Sequence, residues 1–360
     1  MKHTYISYNF ILFLFFLIFY SCKQNNNNVE FKIQKNDSDI NLNGSDKLSI
    51  VLKPINIHGI FTSIAVVDSI LICGNFRSEK LINIYSLNNN KLIDTIITRG
   101  NAQNEGLSVA NIFIQNNQIA WIYDITLSKL FKINIDYLQK NKVIEKEIRL
   151  PTNLKNLISP SIIGDSLLLA TTYSMDNCRY FYADFQQIKK KIGKLPKVNN
   201  NKLLEDIPNT KFPNKAYLFK ATSIKHSFKN KVAVFYNKAS RAEFYVNDKL
   251  EKTIYNKDNF NPKMYVTKLK MGFSVEDDEK TIYAYLSVAY TEDYIYCLFS
   301  GDKNGETSSE KILIFDWDGN FIKELSLDRK VSKICINQKT KTLYCYDDRV
   351  KSIFLTKLNF

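Results

Sequence analysis

The chain has 360 residues, 45% of them hydrophobic and 24% charged, a balance that excludes a disordered or fibrous protein. Lysine and arginine number 50 against 36 aspartates and glutamates, a net charge of +14, while three histidines and 11 glycines are few for a zinc enzyme or a glycine-rich phosphate binder. The 24 phenylalanines and 21 tyrosines stand in short runs beside isoleucine, valine and threonine, which favours strands. In chain order, Lys2 opens a short basic start, and Phe10 to Tyr20 form an apolar core that stops at Ser21-Cys22. That core is too short to span a bilayer comfortably and has the build of a secretory signal.

A small residue before a cysteine resembles the end of a bacterial lipoprotein signal. The resemblance implies that residues 1–21 are removed and that Cys22 is acylated and anchors the chain to a membrane. Phe19 and Tyr20 are bulkier than the usual residues at that junction, and a plain signal peptide or an uncleaved anchor are the alternatives. Residues 22–47 begin Cys22-Lys23-Gln24 and then four asparagines, and read as a polar tether. An acidic run just after the cysteine would resemble the surface-export signal of some such lipoproteins; its absence here implies, by that resemblance, the periplasmic face of the envelope over the cell surface. No later segment reaches 18 apolar residues. Positive charge on an exported chain points to anionic glycans, phosphorylated lipid surfaces or acidic proteins, and not to nucleic acid. A lysine-rich bias spread over the whole chain accounts for the same charge.

Apart from Cys22 there are five cysteines, Cys73, Cys178, Cys297, Cys335 and Cys345, with no CxxC. An odd number excludes a disulfide framework, so burial must hold the core together. Cys335 and Cys345 can face each other across a hairpin; buried free thiols are the favoured reading.

From residue 48 onward one pattern recurs six times: an apolar strand, a polar turn, a strand mixing aromatics and aliphatics, a second turn, and another strand. The anchors are Ile64, Ile112, Ile162, Ile224, Val288 and Ile334. Their spacings match propeller blades of about 40 to 50 residues, except for two insertions, residues 196–219 and 256–282. Six copies predict an all-β fold, a six-bladed β-propeller over residues 48–360. Two stacked sandwich domains would leave six similar units unexplained. The last copy has room for three strands, and Ser49 to Ile57 is expected to supply the fourth from the N-terminal side. Pro54 is tolerable there because an edge strand can spare an amide donor.

Arg99-Gly100-Asn101-Ala102-Gln103-Asn104-Glu105-Gly106 is similar to a G-x-G-P-x-E motif, although Ala102 and Gln103 replace its Gly and Pro. Tyr296 to Gly301, followed by Ile314-Phe315-Asp316-Trp317-Asp318-Gly319-Asn320, resembles an LYSG…FDWxGN signature. Together these resemble the TolB-like six-bladed propeller lipoproteins of Bacteroidetes. The resemblance covers residues 48–360 and the lipidation site. It implies fold and location and supplies no activity.

Motifs for chemistry are sparse. His58 and His226 stand in no metal-ligand spacing, no G-x-S-x-G elbow occurs, and neither a metal nor a cofactor is expected. Asp316 to Asn320 lacks the further oxygens of a calcium loop and reads as a tight hairpin with Gly319 at positive φ. The acidic run Asp277-Asp278-Glu279 reads as a solvated loop tip. In a propeller the turns between second and third strands share a face with the blade-to-blade connections, and loops on a rigid scaffold commonly carry function. Those turns offer Asn75, Arg77, Asp124, Asp176, Arg179, Asn237, Arg241, Asp302, Asp347 and Arg349. The arginine fork suits carboxylate or phosphate better than lysine does; the structural alternative is that these residues cap turns and pair with one another. Both insertions open on the same face without clear strands, bringing Tyr217, Phe219, Phe260, Tyr265 and Phe273. The reading is a membrane-anchored binding or scaffolding module for an envelope protein or an anionic glycan. The alternative is a glycan lyase, hydrolase or lactonase whose carboxylates, drawn from Asp124, Asp176, Asp302 and Asp347, converge in the propeller mouth.

Overall fold

The computed structural model describes residues 26–30, 32, 40–42, 47–116, 118–138, 143–172, 178–197, 215–256, 260–269, 272–277, 281–302 and 306–358. Six antiparallel sheets follow one another around a ring. Blade 1 is Phe61–Val67, Ile70–Asn75, Lys80–Ser86 and Lys91–Arg99; blade 2 is Asn111–Ile114, Ile119–Asp124, Lys129–Asn134 and Ile144–Arg149. Blade 3 is Leu157–Ile163, Leu167–Thr172, Tyr180–Ala183 and Ile188–Ile192; blade 4 is Ala221–Lys225, Lys231–Tyr236, Arg241–Val246 and Lys249–Asn256. Blade 5 is Tyr285–Tyr290, Tyr294–Phe299, Ser309–Asp316 and Phe321–Val331. Blade 6 takes Lys333–Asn337, Thr342–Asp347 and Ser352–Lys357 from the end of the chain and Lys53–His58 from its start.

The expected closing segment divides. Lys53–His58 runs antiparallel to Ser352–Lys357 and closes the ring, with Pro54 on the edge as foreseen. Lys47–Ile50 instead pairs in parallel with the last strand of blade 5, and Ile40–Leu42 in parallel with the last strand of blade 4. Leu52, buried between the two stretches, donates its amide to the Asp328 carboxylate at 3.2 Å and so fixes the step from one blade to the next.

The inner strands of each blade are apolar on both faces because a neighbouring blade covers each side, while outer strands such as Ile144–Arg149 and Ile188–Ile192 are largely exposed. Among the described residues the buried side chains form six clusters, one at each blade junction. Phe235, Phe244, Tyr285, Phe299 and Phe315 fill the junction of blades 4 and 5. Ile57, Phe61, Tyr346 and Ile353 fill the closing junction of blades 6 and 1. The five cysteines among the described residues are free and buried, and Cys335 and Cys345 are not bonded. Cys345 pairs in register with Ile334 and Cys335 with Tyr344, so the one-residue offset sends the two thiols to opposite sheet faces and into different junctions.

The first strand of each blade lines a central channel of about 1230 Å³. Hydroxyl and amide side chains on these strands stitch neighbouring blades: Ser63 Oγ accepts from Ile112 N at 3.2 Å, Asn111 donates to the Pro160 carbonyl at 3.2 Å, and Ser287 Oγ accepts from Ile334 N at 3.1 Å. Between blades 4 and 5 the stitch is Asn237, whose side-chain amide donates to the Tyr285 carbonyl at 3.2 Å. The second insertion carries strands after all: Lys263–Leu269 and Gly272–Asp277 form a hairpin that Asn26–Glu30 joins as a third strand. Strict polar alternation was missing there, which is why residues 256–282 read as a loop.

Candidate functional site

Several of the polar turn residues are absorbed by the scaffold. Asp124 is completely buried and accepts from the amides of Leu107, Ser108, Thr126 and Leu127 and from the Ser108 hydroxyl. It therefore fastens the connection from blade 1 into blade 2. The Arg99–Gly106 segment beside it is built the same way. Arg99 donates to the carbonyls of Phe76, Ser78 and Leu107, while Glu105 folds back onto the Ala102 amide at 2.9 Å. Lys129, 1% exposed, crosses from blade 2 to the carbonyls of Ala102 and Glu105 and pairs with Glu147 at 2.8 Å. This segment is a clamp between two blades.

Asp347 and Arg349 form a two-point pair, Nε to Oδ1 at 3.0 Å and Nη2 to Oδ2 at 2.9 Å, and Arg349 also donates to the Lys330 carbonyl. Burial pushes the Asp347 carboxyl up, but the bonds from Arg349 outweigh it and hold the carboxyl below its usual range. Asp302 lies 3.9 Å from the Lys330 ammonium, so Lys330 links it to the Asp347–Arg349 pair across blades 5 and 6.

Arg179 and Arg241 meet over the ring of Tyr236, 4.7 and 5.8 Å from its centroid, in the wall between blades 3 and 4. Arg241 donates through Nε to Glu243 at 2.8 Å and through Nη1 to the Tyr255 hydroxyl. Glu243 also accepts from the hydroxyls of Tyr236 at 2.6 Å and Tyr245 at 2.8 Å. Burial lowers the affinity of both guanidiniums for their protons, yet the surrounding negative field of Glu243 and the tyrosines raises both above the ordinary arginine value. Arg179 gives one bond, to the Phe219 carbonyl at 2.8 Å, and its Nε and Nη1 have no partner. Arg77 stands apart on an exposed turn against the Phe76 ring, and Asn75 is buried in the strand before it. Asp176 and Cys22 lie outside the described residues.

Asn237 alone of the predicted residues lines the channel. It also lines a second cavity of about 350 Å³ at the channel mouth on the loop-bearing side, shared with Lys220, Lys238, Lys333, Tyr217 and Tyr283. Tyr217 comes from the short helix Lys215–Leu218 that ends the first insertion, and the Lys238 ammonium sits 3.7 Å from its ring centroid. Phe219 and Phe260 pack inward onto Tyr236 and Phe299. The Lys333 ammonium is pushed below the usual lysine range, first by burial and then by repulsion from Lys220, with Asp348 opposing. No carboxylate oxygen lies within 4 Å of Lys220 or Lys333 among the described residues. In a chain with 50 lysines and arginines no motif or charge run sets these three lysines apart. The signal was in the repeat itself: before the six anchors stand Ser63, Asn111, Ser161, Ser223, Ser287 and Lys333. A lysine replaces a small stitching residue in the sixth copy.

An open channel ringed by six sheets of four or five strands, with the blade-to-blade connections at one mouth, defines a six-bladed β-propeller, a scaffold on which loops commonly carry function. The chain belongs to the TolB-like 6-blade propeller-like family, whose model matches residues 46–339. No curated protein matches it. Among solved structures it is similar to a member of the duf4221 family from Bacteroides vulgatus, at 12% identity and a TM-score of 0.53, over 94% of this chain and 99% of that one. It is also similar to Kuenenia stuttgartiensis hydrazine synthase, at 9% identity and a TM-score of 0.48, over 84% of this chain and 96% of that one.

Proposed function

We propose that the protein is a lipid-anchored binding or scaffolding module of the bacterial cell envelope, of the Bacteroidetes lipoprotein branch, facing the periplasm and held to its membrane through Cys22. It takes hold of a partner carrying acidic groups, an envelope protein or an anionic glycan, at the loop-bearing mouth of the propeller. The observation that carries this reading is the convergence of Lys220, Lys238 and Lys333 with Asn237, Tyr217 and Tyr283 around one cavity at the end of an open channel. Cations and ring faces hold and orient an anion or a sugar; they do not form an acid–base pair. The carboxylates on which the catalytic alternative depends are engaged separately: Asp124 by the blade 1–2 connection and Asp347 by Arg349.

In-cell crosslinking followed by affinity capture tests the reading, with protein and glycan both identified by mass spectrometry. One stoichiometric envelope component, lost when Lys220 and Lys333 are both changed to Gln, is the expected result, and Cys22→Ala should release the protein from the membrane fraction. Capture of the same component by that double variant, or of none, contradicts it.

A further inference from the structure

We infer that the mouth cavity is an oxyanion subsite, in which Lys220 and Lys333 together hold one carboxylate or phosphate group of a small hydroxylated unit such as an acidic sugar. This rests on the binding-module reading and narrows it to a ligand chemistry. Two buried cations elsewhere in the molecule each meet a carboxylate. Lys129 has Glu147 at 2.8 Å and Arg241 has Glu243 at 2.8 Å. Removing a cation from water is costly, and a paired anion offsets that cost. Lys220 and Lys333 are half-buried at the same mouth and repel each other; Asp348 attracts Lys333 from a distance, but no carboxylate oxygen lies within 4 Å of either ammonium among the described residues. Two ammoniums in that arrangement are incomplete without an anion between them.

The cavity has the size of a small-molecule site. Its volume of about 350 Å³ falls within the roughly 300–1,000 Å³ typical of such sites, too small for a folded partner and ample for one sugar ring. Its other walls suit a hydroxylated ring: the tyrosines Tyr217 and Tyr283 and the hydroxyls of Thr307 and Ser332. Lysine ammoniums act as point charges and do not demand the planar two-point geometry that arginine imposes, so carboxylate and phosphate share this chemistry.

The test is calorimetric titration of the lipid-free full-length protein with glucuronate, with inorganic phosphate and with glucose. Glucuronate or phosphate should bind and glucose should not. Lys220→Gln and Lys333→Gln should each weaken binding about tenfold or more, as expected for loss of a charge-assisted hydrogen bond. Lys339→Gln serves as the control, because Lys339 is exposed at the opposite channel mouth and pairs with Asp68 at 3.4 Å. Binding of phosphate without glucuronate assigns the subsite to a phosphorylated ligand; binding of glucuronate assigns it to a uronate. No binding of either probe overturns the inference, as does binding that survives in the Lys220→Gln, Lys333→Gln double variant. Unchanged melting curves of the variants exclude a folding defect. If the probes fail while an envelope partner is still captured through these lysines, the subsite falls and the binding module stands.

Discussion

Arg241 and Lys333 both open a blade strand near the loop-bearing side of the propeller, and their surroundings differ in one respect. Arg241 is boxed by Glu243, Tyr255 and the Tyr236 ring, and every one of these partners belongs to its own blade. Lys333 faces an open cavity and another lysine. A cation that has been given its anion by the fold is structural, whichever loop it stands beside. A cation left facing solvent space and a like charge carries a standing cost that packing does not explain, and that is the stronger sign of a site. By this measure Arg241, Asp124, Asp347 and Arg349 belong to the architecture of the propeller, and the lysines of the mouth belong to what it does.

The comparison breaks most visibly at Glu243. Glu243→Ala would leave Arg241 and Arg179 buried without their shared counter-charge, and a loss of about 3–5 kcal/mol is expected in chemical denaturation. Ligand binding at the mouth should survive in whatever fraction remains folded. Asp124→Ala should cost somewhat less, about 2–3 kcal/mol, because it strands the amides of a loop connection and no charged partner. A loss below 1 kcal/mol in either variant would mean that these groups are not the scaffold described.

The tyrosines that line the blade junctions set a limit in base. The hydroxyls of Tyr123 and Tyr296 are pushed up to about 12, chiefly by burial, while an unfolded tyrosine ionises near 10. The unfolded chain therefore loses these protons first, and their contribution to stability is whole below pH 10 and lost as pH rises toward 12. Unfolding by base followed at the tyrosinate absorbance should show one cooperative step beginning near pH 10. Gradual ionisation without unfolding would contradict it. Lys333 runs the other way: its lowered proton affinity means that the folded state is penalised while the ammonium is charged. Lys333→Met should thus raise the melting temperature at pH 7 slightly, by about 1–2 °C, and the gain should shrink as pH approaches the lysine range. A fall of several degrees would show that Lys333 is structural. Arg77→Ala, on an exposed turn, should leave stability unchanged.

The sequence carried the ring well and the site poorly, for physical reasons. Strand after strand of aliphatic and aromatic residues with polar turns at blade-length spacing has few other solutions, and the orphaned segment before Ile64 had an open place to fill. Its division between blades 5 and 6 was not legible, because parallel edge pairing at Lys47–Ile50 leaves no alternation to read. The ring of polar turns was located correctly in the chain but not its partners. Glu243 stands two residues from Arg241 on one strand, hence on one face, and that spacing could have revealed the pair. The Asp124 bonds come from backbone amides of the blade 1–2 connection and of its own turn, which no side-chain pattern records. Lys333 was legible only by aligning the six copies and asking which departs from serine or asparagine.

The account's central claim is that this propeller binds at its loop-bearing mouth. A photocrosslinking side chain placed in living cells at Tyr283, on that mouth, and at Phe228, 80% exposed on the opposite one, compares the two directly. Adducts formed from position 283 and not from 228, and abolished when Lys220 and Lys333 are changed to Gln, are the predicted result. Adducts formed only from position 228 would place binding on the other face and contradict the account.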